Sequence, residues 1–372
     1  MSQRLPTLLL ALCACSGPAG DRGARDVAGD TSPATRRQLP PAGRDDARPA
    51  EARQATLAAF ARYDVVALGV LSYADRDLNA FILDLIRDPA FPDRVNDIAV
   101  ECGNARYQAV LDRYVRGDSV PLSEVRQVWR NTTQPMCGVT AFHEALFPLV
   151  RRVNQKLPAE RRLRVLACDP PVDWSAVKGP ADLRRFGDRD ASIAAVMERE
   201  VFAKHRKALM IFGVRHLLHG GGGAVRMYER SGHPGATFVV MAHNGFAGDA
   251  PRRARNDELE GRMAAWPVPS LVTLHGTWVA DLDLSDLLPG EDRGRHLGSA
   301  VDGYLYLGPR DLVLREPIPA SVLLDTSYVA ELRRRARVRQ GPTSPDAIVR
   351  EAADPDAFFN QEGGRATPRR RD

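Results

Sequence analysis

Residues 208–213 read Ala-Leu-Met-Ile-Phe-Gly, an apolar run without alternation that is closed by a glycine and followed by Val214-Arg215-His216. A strand buried on both faces has this pattern. Three other runs match it: Asp64–Val70 (DVVALGV), Asn96–Glu101 (NDIAVE) and Leu163–Ala167 (LRVLA). Helical spacing fills the gaps. Leu78–Asp88 sets Leu78, Phe81, Ile82, Leu85 and Ile86 on one face, and Arg106–Val115 does the same with Tyr107, Val110, Leu111 and Tyr114. Helical patterns follow at Leu122–Arg130, Ala141–Lys156 and Ala191–Lys204. Strands are expected at Thr237–Met241, Ser270–Leu274 and Gly303–Leu307, and a last helix near Ser327–Arg337. The alternation predicts an α/β fold, with a parallel or mixed central sheet flanked by helices and a helical insertion at residues 120–158. One domain over residues 54–338 accounts for it.

The chain has 372 residues and a formal charge of +5. That excess sits at the ends. Residues 1–53 carry 8 Arg against 6 acidic residues, and 332–372 carry 10 Arg against 6, which leaves 54–331 at −1. Of the 52 cations, 48 are Arg. A neutral middle with so few lysines argues against a nucleic-acid binder. No apolar run reaches the roughly 18 residues of a membrane-spanning helix.

Residues 1–15 read as an export signal, with a basic start, a short apolar stretch and Leu12-Cys13-Ala14-Cys15. The last four resemble a bacterial lipoprotein signal, with Cys15 as the residue to be acylated. The expectation is an exported protein of the bacterial cell envelope, lipid-anchored and facing the periplasm. Residues 16–53, rich in Gly, Pro, Ala, Arg and Asp, read as a disordered tether, and 339–372 as an Arg-rich flexible tail. Of the remaining cysteines, Cys102 and Cys168 each fall just past an expected strand. That favours them as a disulfide pair, with buried free thiols the alternative.

In open α/β sheets, ligands gather outside the carboxyl ends of the strands. The residues there are Val70–Ser72, Glu101-Cys102-Gly103-Asn104, Cys168-Asp169-Pro170 and Gly213–Gly220. Glu101 suits a general base, a histidine-orienting acid or a metal ligand; otherwise it is a salt-bridge partner. His216 suits a base or a metal or haem ligand, against the plainer reading of a loop histidine. Gly220–Gly223 would let backbone amides approach an anion at the start of the next helix. Asp188-Arg189-Asp190 opens a helix, where acids serve as caps in any case. Asp169 either faces the cleft or only turns the chain with Pro170. His143-Glu144 lacks the second histidine of a zincin helix, and there is no G-x-S-x-G elbow. His205, His233 and His296 read as surface residues, and His243 and His275 as weak cleft candidates.

Taken in order, these positions resemble the superfamily that groups erythromycin esterases, haem-binding ChaN lipoproteins and Tiki-type proteases. The resemblance spans roughly 64–310. Its elements are a G-E-x-H after the first strand, an acid ending the second, an R-D opening a helix and a G-x-x-H after a later strand. Here they are Glu101, Arg189-Asp190 and Gly213-Val214-Arg215-His216. Asp93–Trp174, with Asn104, Tyr107-Gln108 and Asp169–Trp174, is similar to an uncharacterised bacterial branch of that group. The first motif departs: its register holds Gly69-Val70-Leu71-Ser72, with valine for the acid and serine for the histidine. Valine binds neither proton nor metal, and an isolated serine is a poor base. Tyr73 lies next to it.

Two functions follow from the resemblance. One is a hydrolase of an ester, lactone or amide, with His216 as base, Glu101 and Asp190 orienting it and Arg189 steadying negative charge. The other is a non-catalytic small-molecule-binding protein, for example for haem, with His216 or Tyr73 facing the iron. Asp169, Asn104, Ser72 and Tyr73 are the expected ligand-binding residues. The resemblance leaves open haem, a divalent metal or no cofactor, and the residues themselves show no metal-ligand spacing.

Overall fold

The computed structural model describes residues 46–243, 250–288, 290–291, 293–310 and 316–339. The leader, with Cys15, and the tail beyond Arg339 lie outside them. Among the described residues eight strands form one mixed sheet. They are β1 (Ala50–Glu51), β2 (Val65–Val70), β3 (Asp97–Asn104), β4 (Arg164–Asp169), β5 (Ala208–Gly213), β6 (Thr237–Ala242), β7 (Ser270–Thr273) and β8 (Gly303–Tyr306). Their order is β1-β7-β8-β6-β2-β5-β3-β4. Pairing is parallel from β8 through to β4, and β7 runs antiparallel to both β8 and β1.

Period-two alternation divides the core between the two faces of the sheet. Val66, Leu68 and Val70 point to one face, under helices 76–87, 108–116, 122–130 and 142–154. Val65 and Ala67 point to the other, under helices 189–200, 224–231 and 250–263. The segment read as a helical insertion, 120–158, belongs to the first of these cores. Trp129, Phe142 and Phe147 are each no more than 1% exposed and pack in the same cluster as β3 and β5.

Two expectations need correction. The ordered fold starts before residue 54, because Ala50 and Glu51 pair with Leu271 and Ser270 and a helix starts at Ala52. Glu51 caps that helix by accepting from the amides of Arg53 and Gln54. The disulfide joins Cys102 to Cys137, and Cys168 is a buried free thiol. Cys102 and Cys168 do end adjacent strands, but Cys102 lies in the core cluster that holds Cys137, and Cys168 lies in the cluster on the other face. Spacing along the chain does not show which face a thiol takes.

Candidate active site

The strand order places the carboxyl ends of β2, β5 and β3 side by side. Val70 is in register with Gly213, and Val100 with Ile211, so Glu101, just past the pairing of β3 with β5, comes next to Gly213. Glu101 is 4% exposed, and its oxygens are taken up. Oε2 accepts from the Gly213 amide at 2.6 Å and the Tyr73 hydroxyl at 2.9 Å, and Oε1 accepts from Arg189 Nη2 at 2.7 Å. A Cβ at 213 would sit 3.1 Å from Glu101 Oε2, so a side chain there would crowd the carboxylate. Burial alone would raise the Glu101 pKa; the Arg189 charge and the His216 bond hold it well below the usual carboxylate range.

Arg189 is the hub. From the first turn of helix 189–200 it donates Nε to Asp169 at 3.0 Å and Nη2 to Glu101, and sets Nη1 3.2 Å from His216 Nε2. Asp169, at the end of β4, also accepts from the amide and hydroxyl of Thr133 at 2.5 and 2.6 Å. Burial raises the Asp169 pKa, and Arg189 and Thr133 offset part of the rise.

His216 stands between two carboxylates. Nδ1–H donates to Asp190 Oδ1 at 2.6 Å, and Nε2 is 3.5 Å from Glu101 Oε1. Burial disfavours the charged ring, but the bonds to Asp190 and Glu101 outweigh it and carry the pKa to about 9. In the neutral ring Nε2 accepts from Arg189; in the charged ring it turns a proton to Glu101 against the repulsion of Arg189. Asp190 Oδ1 also accepts from the Ala224 amide at 2.8 Å, at the start of helix 224–231. The glycine run before that helix therefore does bring an amide to an anion, and the anion is a side chain of the protein. Gly223 is packed so close that a Cβ would lie 2.6 Å from the carbonyls of Arg215 and His216.

A cavity of about 100 Å³ opens over this cluster. Glu101, Arg189, His216 and Tyr73 line it with Val70, Leu71, Gln134, Met136, Val214, Arg215 and Leu288, with Gly213 between. Four expected residues, His216, Glu101, Arg189 and Tyr73, therefore meet at the cavity. Asp190 and Asp169 stand behind them. Asn104 and Ser72 are placed elsewhere. Asn104 is fully buried and ties Asn131 and Val172 through their carbonyls, while Ser72 Oγ accepts from the Ala74 amide. Thr133, Gln134 and Met136, which carry no signal in the sequence, also reach the site. Thr133 and Gln134 lie in the turn after helix 122–130 and Met136 in the 3-10 helix Pro135–Val139, and no periodicity signals their approach to the strand ends.

The other histidines also have definite places. His143 is fully buried among Tyr73, Trp129, Phe142 and Phe147, and neither ring nitrogen has a hydrogen-bond partner among the described residues. Burial, only partly offset by Glu101, drops its pKa to about 3, so it is a neutral core residue. His243 is buried between Tyr304 and Glu260, and His275 is exposed. His205 and His296 are exposed, and His233 is half-buried against Phe202.

The path of the chain has counterparts among solved structures. It is similar to a mutant of the erythromycin esterase EreC in an open conformation, at 10% identity and a TM-score of 0.47, over 70% of this chain and 95% of that one. A succinoglycan biosynthesis protein matches at 8% identity and 0.47, over 70% and 94%. ChaN of Campylobacter jejuni, solved with cofacially bound haem, matches at 13% and 0.35, over 52% and 87%. Likeness at this level says nothing of activity. No protein-family model and no curated protein matches the sequence.

The cluster fits neither of the cofactors that the resemblance left open. Glu101, Asp169 and His216 converge on the guanidinium of Arg189, which fills the place between them with a cation that cannot accept ligands. No group of three or more His, Cys, Asp or Glu among the described residues could hold a metal ion. For haem, the Tyr73 hydroxyl is committed to Glu101, and the cavity is far smaller than a porphyrin.

Proposed function

We propose that the cleft hydrolyses a small ester, lactone or amide, with His216 as general base. The observation that carries this is the 2.6 Å bond from His216 Nδ1 to Asp190 on a ring that lines the cavity. A carboxylate on one nitrogen fixes the tautomer, and Nε2 takes the proton of water as Arg189 Nη1 turns from it to the carbonyl oxygen. Water adds to the carbonyl carbon and gives its proton to Nε2. The C–O or C–N bond then breaks, and the imidazolium returns the proton to the leaving atom. Arg189 Nη1, beside Nε2, steadies the negative charge that builds on the carbonyl oxygen.

The pH dependence tests the reading. Only neutral His216 can act as base, and with its pKa at about 9 roughly one molecule in a hundred carries that form at pH 7. Turnover of chromogenic short-chain esters, corrected for spontaneous hydrolysis, is expected to rise about tenfold per pH unit and to level off near pH 9. His216→Ala should remove it. A flat profile, or a rate that survives His216→Ala, overturns the proposal.

A second reading has its own support. The same raised pKa keeps His216 cationic at neutral pH beside Arg189, which suits binding of a small polar ligand without turnover. Saturable binding with no hydrolysis from pH 6 to 10 would establish it. We further propose that the protein is exported and acylated at Cys15, which the lipoprotein-like sequence around that cysteine supports. Mass spectrometry of the mature N-terminus decides the point, and an unmodified Met1 would refute it.

A further inference from the structure

We propose that the cavity beside His216 is an acyl pocket, sized for about four heavy atoms and selective for compact, uncharged, apolar acyl groups. The proposal rests on the hydrolase reading and names its substrate class. Apart from the polar cluster, Gln134 and Arg215, the wall is Val70, Leu71, Met136, Val214 and Leu288, drawn from four separate stretches of chain. Val70 is the telling position. Valine there looked in the sequence like a lost carboxylate, yet it lines the cavity in register with Gly213, three residues before His216. Leu71 extends the same surface. Met136 faces them from the segment that the Cys102–Cys137 disulfide ties to the end of β3.

The charged groups on the wall are already committed. Glu101 is bonded by Arg189, Tyr73 and Gly213, and Arg215 is paired with Glu291 at 2.8 Å. A cationic acyl group would have to displace Arg189 from Glu101, and an anionic one would have to draw Arg189 from Glu101 or Arg215 from Glu291. A neutral alkyl chain meets neither cost. Size follows from volume. An apolar cavity of about 150 Å³ accepts benzene, so 100 Å³ holds about four heavy atoms.

The test is a series of p-nitrophenyl esters from acetate to octanoate. kcat/KM is expected to rise about fourfold per methylene up to a four-carbon acyl group and to fall beyond it. Val70→Ala should move the optimum to longer chains and Met136→Trp to shorter ones, opposite displacements that a loss of folding cannot produce. Binding is read separately, through the His216 ring resonances on addition of butyramide, acetamide and succinamate. Butyramide should bind most tightly and succinamate should not bind. If butyramide binds in a Val70-dependent way but no ester turns over, the hydrolase reading fails and the pocket stands. If esters turn over with no chain-length preference, or with a preference that neither variant moves, the pocket is wrong and the hydrolase stands. Absence of both binding and turnover overturns both.

Discussion

Arg189 concentrates the electrostatics of the cleft in one side chain. Glu101 and Asp169 are both buried, and each would be costly to ionise alone; the guanidinium fork pays both costs with separate nitrogens. Removing it leaves buried Asp169 without a counter-charge and Glu101 with only His216, 3.5 Å away. Arg189→Met is therefore expected to destabilise the fold by about 3–5 kcal/mol in urea titrations, with Arg189→Lys losing less because it keeps the charge without the fork. A loss below about 1 kcal/mol for Arg189→Met would mean that the two acids take up protons at little cost, contrary to the low pKa of Glu101.

At the scale of elements, the segment that follows helix 122–130 decides the shape of the site. It supplies Thr133 to Asp169 and Gln134 and Met136 to the cavity wall. It is held at both ends. Arg335, from helix 326–338, donates to the Arg130 carbonyl and to Asn131 Oδ1, and Cys137 is joined to Cys102. The disulfide spans 35 residues, so a chain-entropy estimate gives it about 4 kcal/mol. Peptide mapping without reductant should recover residues 102 and 137 in one linked pair, with Cys168 as a thiol. Cys137→Ser should lower the unfolding free energy by about 2–4 kcal/mol. Linkage through Cys168 would refute the assignment. Arg334 and Arg335 also revise the charge reading: these two arginines of the basic C-terminal region are engaged within the fold, bonded to Glu331 and to backbone carbonyls.

For the whole molecule, two histidines couple stability to alkaline pH. His219 sits between Asp302 at 2.8 Å and Glu229 at 3.2 Å; burial opposes its charge, but those bonds carry its pKa to about 9, as in His216. A histidine whose folded pKa is raised stabilises fully below its unfolded value, near 6.5, and loses that contribution as pH rises through 9. Each is worth on the order of 2–3 kcal/mol, since both side chains are mostly buried. Unfolding free energy should thus fall between pH 6.5 and 9.5. In Asp302→Asn the fall should shrink, because the amide oxygen still accepts from Val239 but no longer favours the charged ring. A curve that stays flat over that range would rule out both raised values.

The sequence by itself determined the architecture and named much of the candidate site. Buried parallel strands need continuous apolar runs and their helices need apolar stripes, and both patterns are local, so seven of the eight strands could be read directly and β5 was placed to the residue. The two-residue β1 carries no such signal. Glu101, Arg189 and His216 could be found because strand ends and the opening turn of a helix are positions along the chain. What they do to one another was not legible. That Arg189 stands where the acids and the imidazole converge, that Asp190 takes the helix amide behind the glycines, and that Asn104 and Ser72 fall outside the cavity all depend on strand order and side-chain direction. The same holds for the disulfide, because two cysteines at the ends of neighbouring strands can lie on opposite faces of the sheet. Val70 shows the limit most clearly: in one dimension it is a missing carboxylate, and in three it is part of an apolar wall. Burial and contact arise between segments distant in sequence, and only the tertiary structure brings those segments together.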